Sequence, residues 1–322
     1  MKRIFLIITF LFFPIFCFAH AKKVGAILYS KAFIPSFKGL KDGLSSLGYV
    51  EGKNINYFPV IINGNLKEVK KISENFKKRN ITLIFTTTTF VALEVKKYIN
   101  FYKFPVIFNE VDDPVLAGLV KSLNKPGGYF TGIAHIAAKL IPKRLEIFKD
   151  AFPEIRRIVY FYNLNTKYKN ERLKMIKFAC RYLNLKYLAI GVKDKNDLFN
   201  KMNKLKLDNK SDGLFWYPDA LVTAYPQVYF KLSHKFKVPL MVLDNVFISK
   251  GGCIGYSPDF YEVGKQSSFI AKIIFDGGKP QNIPVEYPEK ILLKINLKEI
   301  KQLGLFKFFN KKYLNYADEI IR

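Results

Sequence analysis

Short apolar runs and helix-spaced apolar positions alternate along nearly the whole chain. Residues 24–29 form an apolar run suited to a buried parallel strand. Phe37, Leu40, Leu44 and Leu47 then recur at helical spacing and stop at Gly48, a helix-ending residue. Residues 54–61 predict a second strand, and Leu66, Val69, Ile72 and Phe76 the face of a second helix. A strand over 81–85, a polar bend over 86–89 and a helix over 90–98 follow, then a fourth strand over 105–111. The stretch 104–133, FPVIFNEVDDPVLAGLVKSLNKPGGYFTGI, bends at Asp112-Asp113-Pro114 and predicts a short helix before the Gly127-Gly128 turn.

The pattern then restarts. A helix is expected over 139–150, strands over 157–162, 185–192, 213–217 and 238–243, and helices over 167–183 and 220–236. Such alternation implies parallel sheets covered on both faces, and two series imply two doubly wound α/β lobes. The tail predicts a helix over 260–275, a strand over 291–295 and a helix over 297–303. These few elements cannot bury a core alone, so they must add to the earlier lobes and make the chain cross between them more than once. The expected division is 22–137 plus 256–280 for lobe I and 138–255 plus 281–322 for lobe II. Gly127-Gly128 and the region of Tyr256 are the hinge candidates, and a hinged cleft suits ligand capture.

Residues 1–21 have the form of a secretory leader: Lys2 and Arg3, an apolar stretch to Phe18, and Ala19-His20-Ala21 as the cleavage signal. Cleavage after Ala21 would give an exported, periplasmic protein; bulky Phe16 argues against lipidation at Cys17. Removing the leader leaves 51 basic against 26 acidic side chains, a net charge of +25. The lysines lie along nearly every expected helix, so no single basic face is formed and nucleic acid is not an expected partner. Cys180 and Cys253 define no disulfide framework, and two unpaired thiols are expected.

Catalytic chemistry is sparse. Beyond the leader the histidines are His135 and His234, and no zinc-type cluster, nucleophile elbow or phosphate loop occurs. No cofactor and no metal is expected, and the pattern argues for a binder over an enzyme.

The segments GLKDGLSSLGYVEGKNI at 39–55, 104–133, KGGCIGYSPDFYEVGKQ at 250–266, GGKPQNIPVEYP at 277–288 and INLKEIKQLGL at 295–305 occur in order. Together they resemble the ABC transporter substrate-binding family that includes tryptophan- and tyrosine-binding receptors. The resemblance implies a type I periplasmic-binding-protein fold and capture of a small solute outside the cytoplasm. It further implies delivery to a membrane permease with its ATPase, by a protein working as a monomer. The loops Thr86-Thr87-Thr88-Thr89 and Asn163-Leu164-Asn165-Thr166-Lys167-Tyr168 depart from the family's commoner small-residue pattern, so the solute is not transferable from a relative.

Ligands of open α/β sheets sit at the carboxyl ends of strands, where helix N-termini can hold a carboxylate. Thr87 and Thr88 in the first lobe, and Asn163 and Thr166 in the second, occupy such openings; for any single threonine, helix capping is the alternative. Asp219, and Asp244 next to Asn245, could accept a ligand amine, with Asp112 the first-lobe counterpart; the alternatives are N-capping for the first two and turn formation for Asp112. The resemblance places Asp219 and Asp244 where receptors of the family contact their solutes. Tyr29, Trp216, Tyr217 and Phe247 could sandwich a flat solute, against core packing as the alternative. An aromatic amino acid is the leading ligand, and an exported ligand-sensing module presenting its state to a membrane receptor is the alternative function.

Overall fold

The computed structural model describes residues 21–166 and 169–322; the expected leader up to residue 20, and Lys167 and Tyr168, lie outside the described residues. The first half contains β1 (Lys22–Leu28), α1 (Ile34–Ser46), β2 (Ile55–Ile61), α2 (Val69–Lys78), β3 (Leu83–Thr87), α3 (Thr88–Tyr102), β4 (Val106–Asp112) and β5 (Phe130–His135). The second contains α4 (Ile141–Ala151), β6 (Arg157–Asn163), α5 (Lys169–Tyr182), β7 (Lys186–Val192), α6 (Lys195–Lys204), β8 (Asp212–Phe215), α7 (Ala220–Thr223), α8 (Gln227–Phe236), β9 (Leu240–Val242) and β10 (Ile254–Pro258). The tail supplies α9 (Phe260–Phe275), β11 (Ile291–Asn296), α10 (Leu297–Gln302) and β12 (Glu319–Ile321).

Two sheets result. The first has the order β2-β1-β3-β4-β5 and the second β12-β11-β10-β9-β8-β6-β7. Every pairing is parallel except β10 with β11. Each sheet therefore repeats one doubly wound order, with its first strand lying between its second and third. Each has an apolar cluster on both faces, as the near-continuous apolar strands require.

The chain changes sheet after β5, after β10 and again before β11. On the middle excursion α9 leaves the second sheet and packs on α1 beside the first. Sequence makes this contact unusually close. A Cβ on Gly39 would lie 1.9 Å from the Tyr261 carbonyl oxygen, and one on Gly264 1.8 Å from that of Ser36. The return runs beside β5, where Ile133 bridges Glu286. Pairing thus persists to Pro258 on the second sheet and to Glu286 on the first, later than the boundaries read from the sequence at 255 and 280.

Three local expectations change. The segment after Pro114 is a series of turns rather than a helix, with Asp113 Oδ1 accepting the Leu116 N–H at 2.9 Å. Positive φ at Gly118 and Gly127 keeps it from continuing as one. The helix expected over 220–236 breaks into α7 and α8 at Pro226, which has no N–H to donate and cannot continue a preceding helix. Strands β5, β10 and β12 were not expected. In β5, Gly132 interrupts the apolar pattern because a Cβ there would meet the Phe108 carbonyl oxygen at 2.0 Å. Cys180 and Cys253 are separate buried thiols, each pushed up to about 12 chiefly by burial.

Gly264→Ala should drive a methyl into the α1 backbone and lower stability by about 1–3 kcal/mol in urea denaturation. Gly128→Ala, where a Cβ meets nothing within 4 Å, should stay within about 0.5 kcal/mol of the native protein.

Candidate functional site

In a sheet ordered this way the crevice for a ligand lies where neighbouring strands run off in opposite directions. Here that is between β1 and β3 in one sheet and between β6 and β8 in the other. One hydrogen bond spans each position. The Tyr29 N–H donates to Thr87 Oγ1 at 3.1 Å, and the Asn163 N–H donates to Asp219 Oδ2 at 3.0 Å.

On the first lobe the threonines do not cap α3 through their side chains. Thr87 is fully buried and its hydroxyl is engaged by Tyr29. Thr88 begins the helix at φ 70°, a costly value for a β-branched residue, and its buried Oγ1 has no partner among the described residues. Thr89 Oγ1 accepts the Asp112 N–H at 3.1 Å and so ties the ends of β3 and β4 together. Tyr29 is half-buried and lies 6.0 Å from Phe90, centroid to centroid.

On the second lobe Asp219 is buried and saturated. Besides Asn163 it accepts the N–H groups of Leu221 at 2.9 Å and Val222 at 3.3 Å, opening α7 as a cap. Burial raises its pKa, although these backbone donors pull the other way. Asn163 Oδ1 accepts the Asn165 N–H at 2.8 Å, and Thr166 follows as a half-buried loop residue. Trp216 belongs to the core: it stacks on Phe247 at 4.6 Å and Tyr229 at 5.0 Å, and is fully buried. Tyr217 stacks on Tyr160 at 5.6 Å and meets Tyr162 at 6.4 Å. Its hydroxyl is buried without a partner among the described residues.

Asn245 serves the framework. Its N–H donates to Ser257 Oγ at 2.8 Å, and its Nδ2 to the carbonyls of Ser257 at 3.2 Å and Leu292 at 3.0 Å, joining β10 and β11. Asp244 instead accepts from His135 Nε2 at 3.0 Å, linking the end of β9 to the end of β5 on the other sheet. A second inter-lobe pair joins Asp112 to Arg172 of α5. The two pairs connect the carboxyl edges that face each other.

Four residues of this region were not singled out in the sequence. Arg172 lies on α5, and its Nη1 also donates to the Pro218 carbonyl at 2.7 Å. Arg144, fully buried on α4, donates Nη2 to the carbonyls of Trp216 at 3.0 Å and Val242 at 2.8 Å, at the ends of β8 and β9. Burial lowers its pKa to about 10. His135 carries no sequence signal beyond the scarcity of histidines. Burial depresses its pKa most strongly, but Asp244 with Asp112 and Glu110 lifts it net above the ordinary value.

Glu110 is the fourth. It sits at φ 55° where the β4–β5 register shifts, an arrangement that re-aims a side chain. Ser36 Oγ donates to its Oε1 at 2.9 Å, within a chain through Asn109 to Ser267 of α9. Its Oε2 is buried and unpartnered among the described residues. Burial drives its pKa to about 8, against the Ser36 bond and His135. The polar Asn109-Glu110 pair inside an otherwise apolar strand was the available sequence signal.

From about 4.5, the ordinary value, to about 8, folded Glu110 keeps a proton that the unfolded chain has released. Stability should therefore fall as pH rises through that window, at up to about 1.4 kcal/mol per pH unit. His135, also raised, loses its contribution in the same direction as pH climbs past its folded value. Urea midpoints measured from pH 5 to 8 should decline in the native protein, and Glu110→Gln should flatten the decline. An unchanged slope in the variant would assign it to other groups.

Comparison with known proteins gives a consistent picture. A tyrosine-binding protein of Clostridioides difficile (strain R20291) is 26% identical over 287 residues, covering 88% of this chain and 80% of that protein. A Streptococcus pneumonia ABC domain solved in complex with L-Trp superposes with a TM-score of 0.77 at 20% identity, covering 94% of this chain and 100% of that one. A conserved domain protein from Vibrio cholerae gives a TM-score of 0.78 at 23% identity, over 93% and 99% of the two chains. These likenesses establish a type I periplasmic-binding-protein-like fold. The family model described as ABC transporter substrate binding protein matches residues 23–321, and with two doubly wound lobes meeting at their carboxyl edges this chain belongs to that family.

Proposed function

We propose that this binding protein, which is not an enzyme, captures an aromatic amino acid between its lobes and delivers it to a membrane permease and its ATPase. The observation that carries the solute class is the presence of aromatic rings at both facing strand ends: half-buried Tyr29 with exposed Phe90 on one lobe, and half-buried Tyr162, backed by fully buried Tyr217, on the other. The tyrosine-binding relative and the Trp-bound structural neighbour support the same class. In this reading Tyr29, Thr88, Asp112 and Thr166 line the cleft, and fully buried Tyr217 backs it. Thr87, Asn163, Asp219, Asp244 and Asn245 hold the strand ends that carry them.

A solute bridging the lobes favours the closed arrangement by its differential affinity, and the permease reads that population. Proteins of this family act outside the cytoplasm. Here we assign a periplasmic, monomeric protein with no nucleic-acid partner, its leader cleaved after Ala21.

The mature chain, unfolded and refolded to strip retained solute, should be stabilised by tryptophan, tyrosine or phenylalanine in a thermal-shift assay. At 100 times the dissociation constant the gain should be about 2.7 kcal/mol. A cooperative melt unmoved by all three would overturn the aromatic reading, and a response only to another solute class would retain capture with a different cargo.

A further inference from the structure

Three carboxylates at the cleft were candidates to receive a ligand amine, and their surroundings separate them. Asp219 spends both oxygens on three backbone N–H donors. Asp244 is committed to His135 and its side chain is 10% exposed. Asp112 differs: 33% of its side chain is exposed, and only Oδ2 is engaged among the described residues.

The group on Oδ2 is the Arg172 guanidinium, which comes from the opposite lobe. Arg172 is not a loose surface cation. Its side chain is 9% exposed, and its Nη1 is fixed on the Pro218 carbonyl at 2.7 Å. Pro218 adjoins Tyr217, whose buried hydroxyl lacks a partner among the described residues and feels the charges of Arg172, Asp219 and Asp112. The aromatic pair of Tyr162 and Tyr217 lies on the same lobe as the guanidinium, and Tyr29 with Phe90 on the same lobe as the carboxylate.

An acid and a base from different lobes thus meet at one point, near an unsatisfied buried hydroxyl, with aromatic rings on both lobes. An α-amino acid carries the complementary charges on a single carbon. We propose that Asp112, Arg172 and the Tyr217 hydroxyl form the headgroup site for an α-amino acid: Asp112 takes the ammonium, and Arg172 with Tyr217 takes the carboxylate. Without solute, Asp112 and Arg172 neutralise each other. With solute, each keeps a charge-assisted partner, and the zwitterion bridges the lobes. Recognition of the headgroup and closure of the cleft are then one event. This inference rests on the amino-acid reading above and specifies its chemistry.

The test is calorimetric titration of the refolded mature chain with the aromatic amino acid that binds best, its decarboxylated amine and its deaminated acid. The native protein should prefer the amino acid over each analogue by about 100-fold or more, because a site built for a polar group is left unpaired without it. Arg172→Gln should lose about 100-fold for the amino acid and hold the amine at least as well as the native protein, because Asp112 is then released from its partner. Asp112→Asn should lose affinity for the amino acid and hold the acid at least as well as the native protein, because Arg172 no longer pairs with a carboxylate of the chain. Arg172→Lys keeps the charge and serves if the glutamine variant does not fold. Equal binding of amine and amino acid by the native protein would overturn the proposal, as would native affinity in folded Arg172→Gln and Asp112→Asn. If the native protein binds only a non-aromatic amino acid with the same analogue and variant pattern, the aromatic reading fails and the headgroup site stands. Binding of no α-amino acid overturns both.

Discussion

The close seating of α9 on α1 is the constraint on which the two-lobed arrangement depends. Gly39 and Gly264 let two helix backbones approach to distances that no side chain permits. The segment that makes this contact is the one that has just left β10 on the second sheet and will return to it as β11. Fixing α9 beside the first sheet turns a single connection into repeated crossings. The carboxyl edges are thereby held opposite one another, yet the two cores remain separate clusters on separate sheets. Lobes joined by strands and loops, with separate core clusters among the described residues, can move about those crossings when a solute favours one arrangement.

Electrostatics at the facing edges follows from how much water each charge has lost. Arg144 is buried and pays for it by capturing carbonyls at the ends of β8 and β9, which fixes the loops those strands feed. Glu110 is also buried, with no cation bonded to it among the described residues, so it holds its proton to about pH 8 and is a hydrogen-bonding rather than a charged group at neutral pH. Asp112 and Arg172 pair across the lobes where solvent still reaches the carboxylate. Three of the strained non-glycine residues, Thr88, Glu110 and Asp113, lie at the ends of β3 and β4. Such strain persists where the surroundings over-determine it, and it gathers at functional sites.

The fold was legible because it rests on local signals. The apolar runs of β1, β3 and β6 and the helical spacing of α1, α2 and α9 appear directly in the side-chain pattern, and their alternation admits few topologies. Elements were lost where a local rule was overridden. Strand β5 carries Gly132 for close packing, β10 ends in proline, and the 220–236 pattern continues smoothly in hydropathy across a Pro226 that breaks it. The strand ends that form the candidate site were also legible, since they follow from sheet topology. Which of their side chains remain available was not. Trp216 and Asp219 have the right chemistry at the right positions, but the first is absorbed by ring stacking and the second by backbone donors.

Sequence alone therefore determined the two α/β lobes, the loops at their carboxyl edges and the family resemblance, because periodicity and turn residues act over a few neighbours. Tertiary structure decided the pairing of groups distant in the chain: Asp112 with Arg172 at a separation of 60, His135 with Asp244 at 109 and Asn109 with Ser267 at 158. No local pattern encodes such pairs. Charge, burial and hydrogen-bond capacity become specific only when the crossings bring both partners to the same edge, and that closure is a property of the packed chain as a whole.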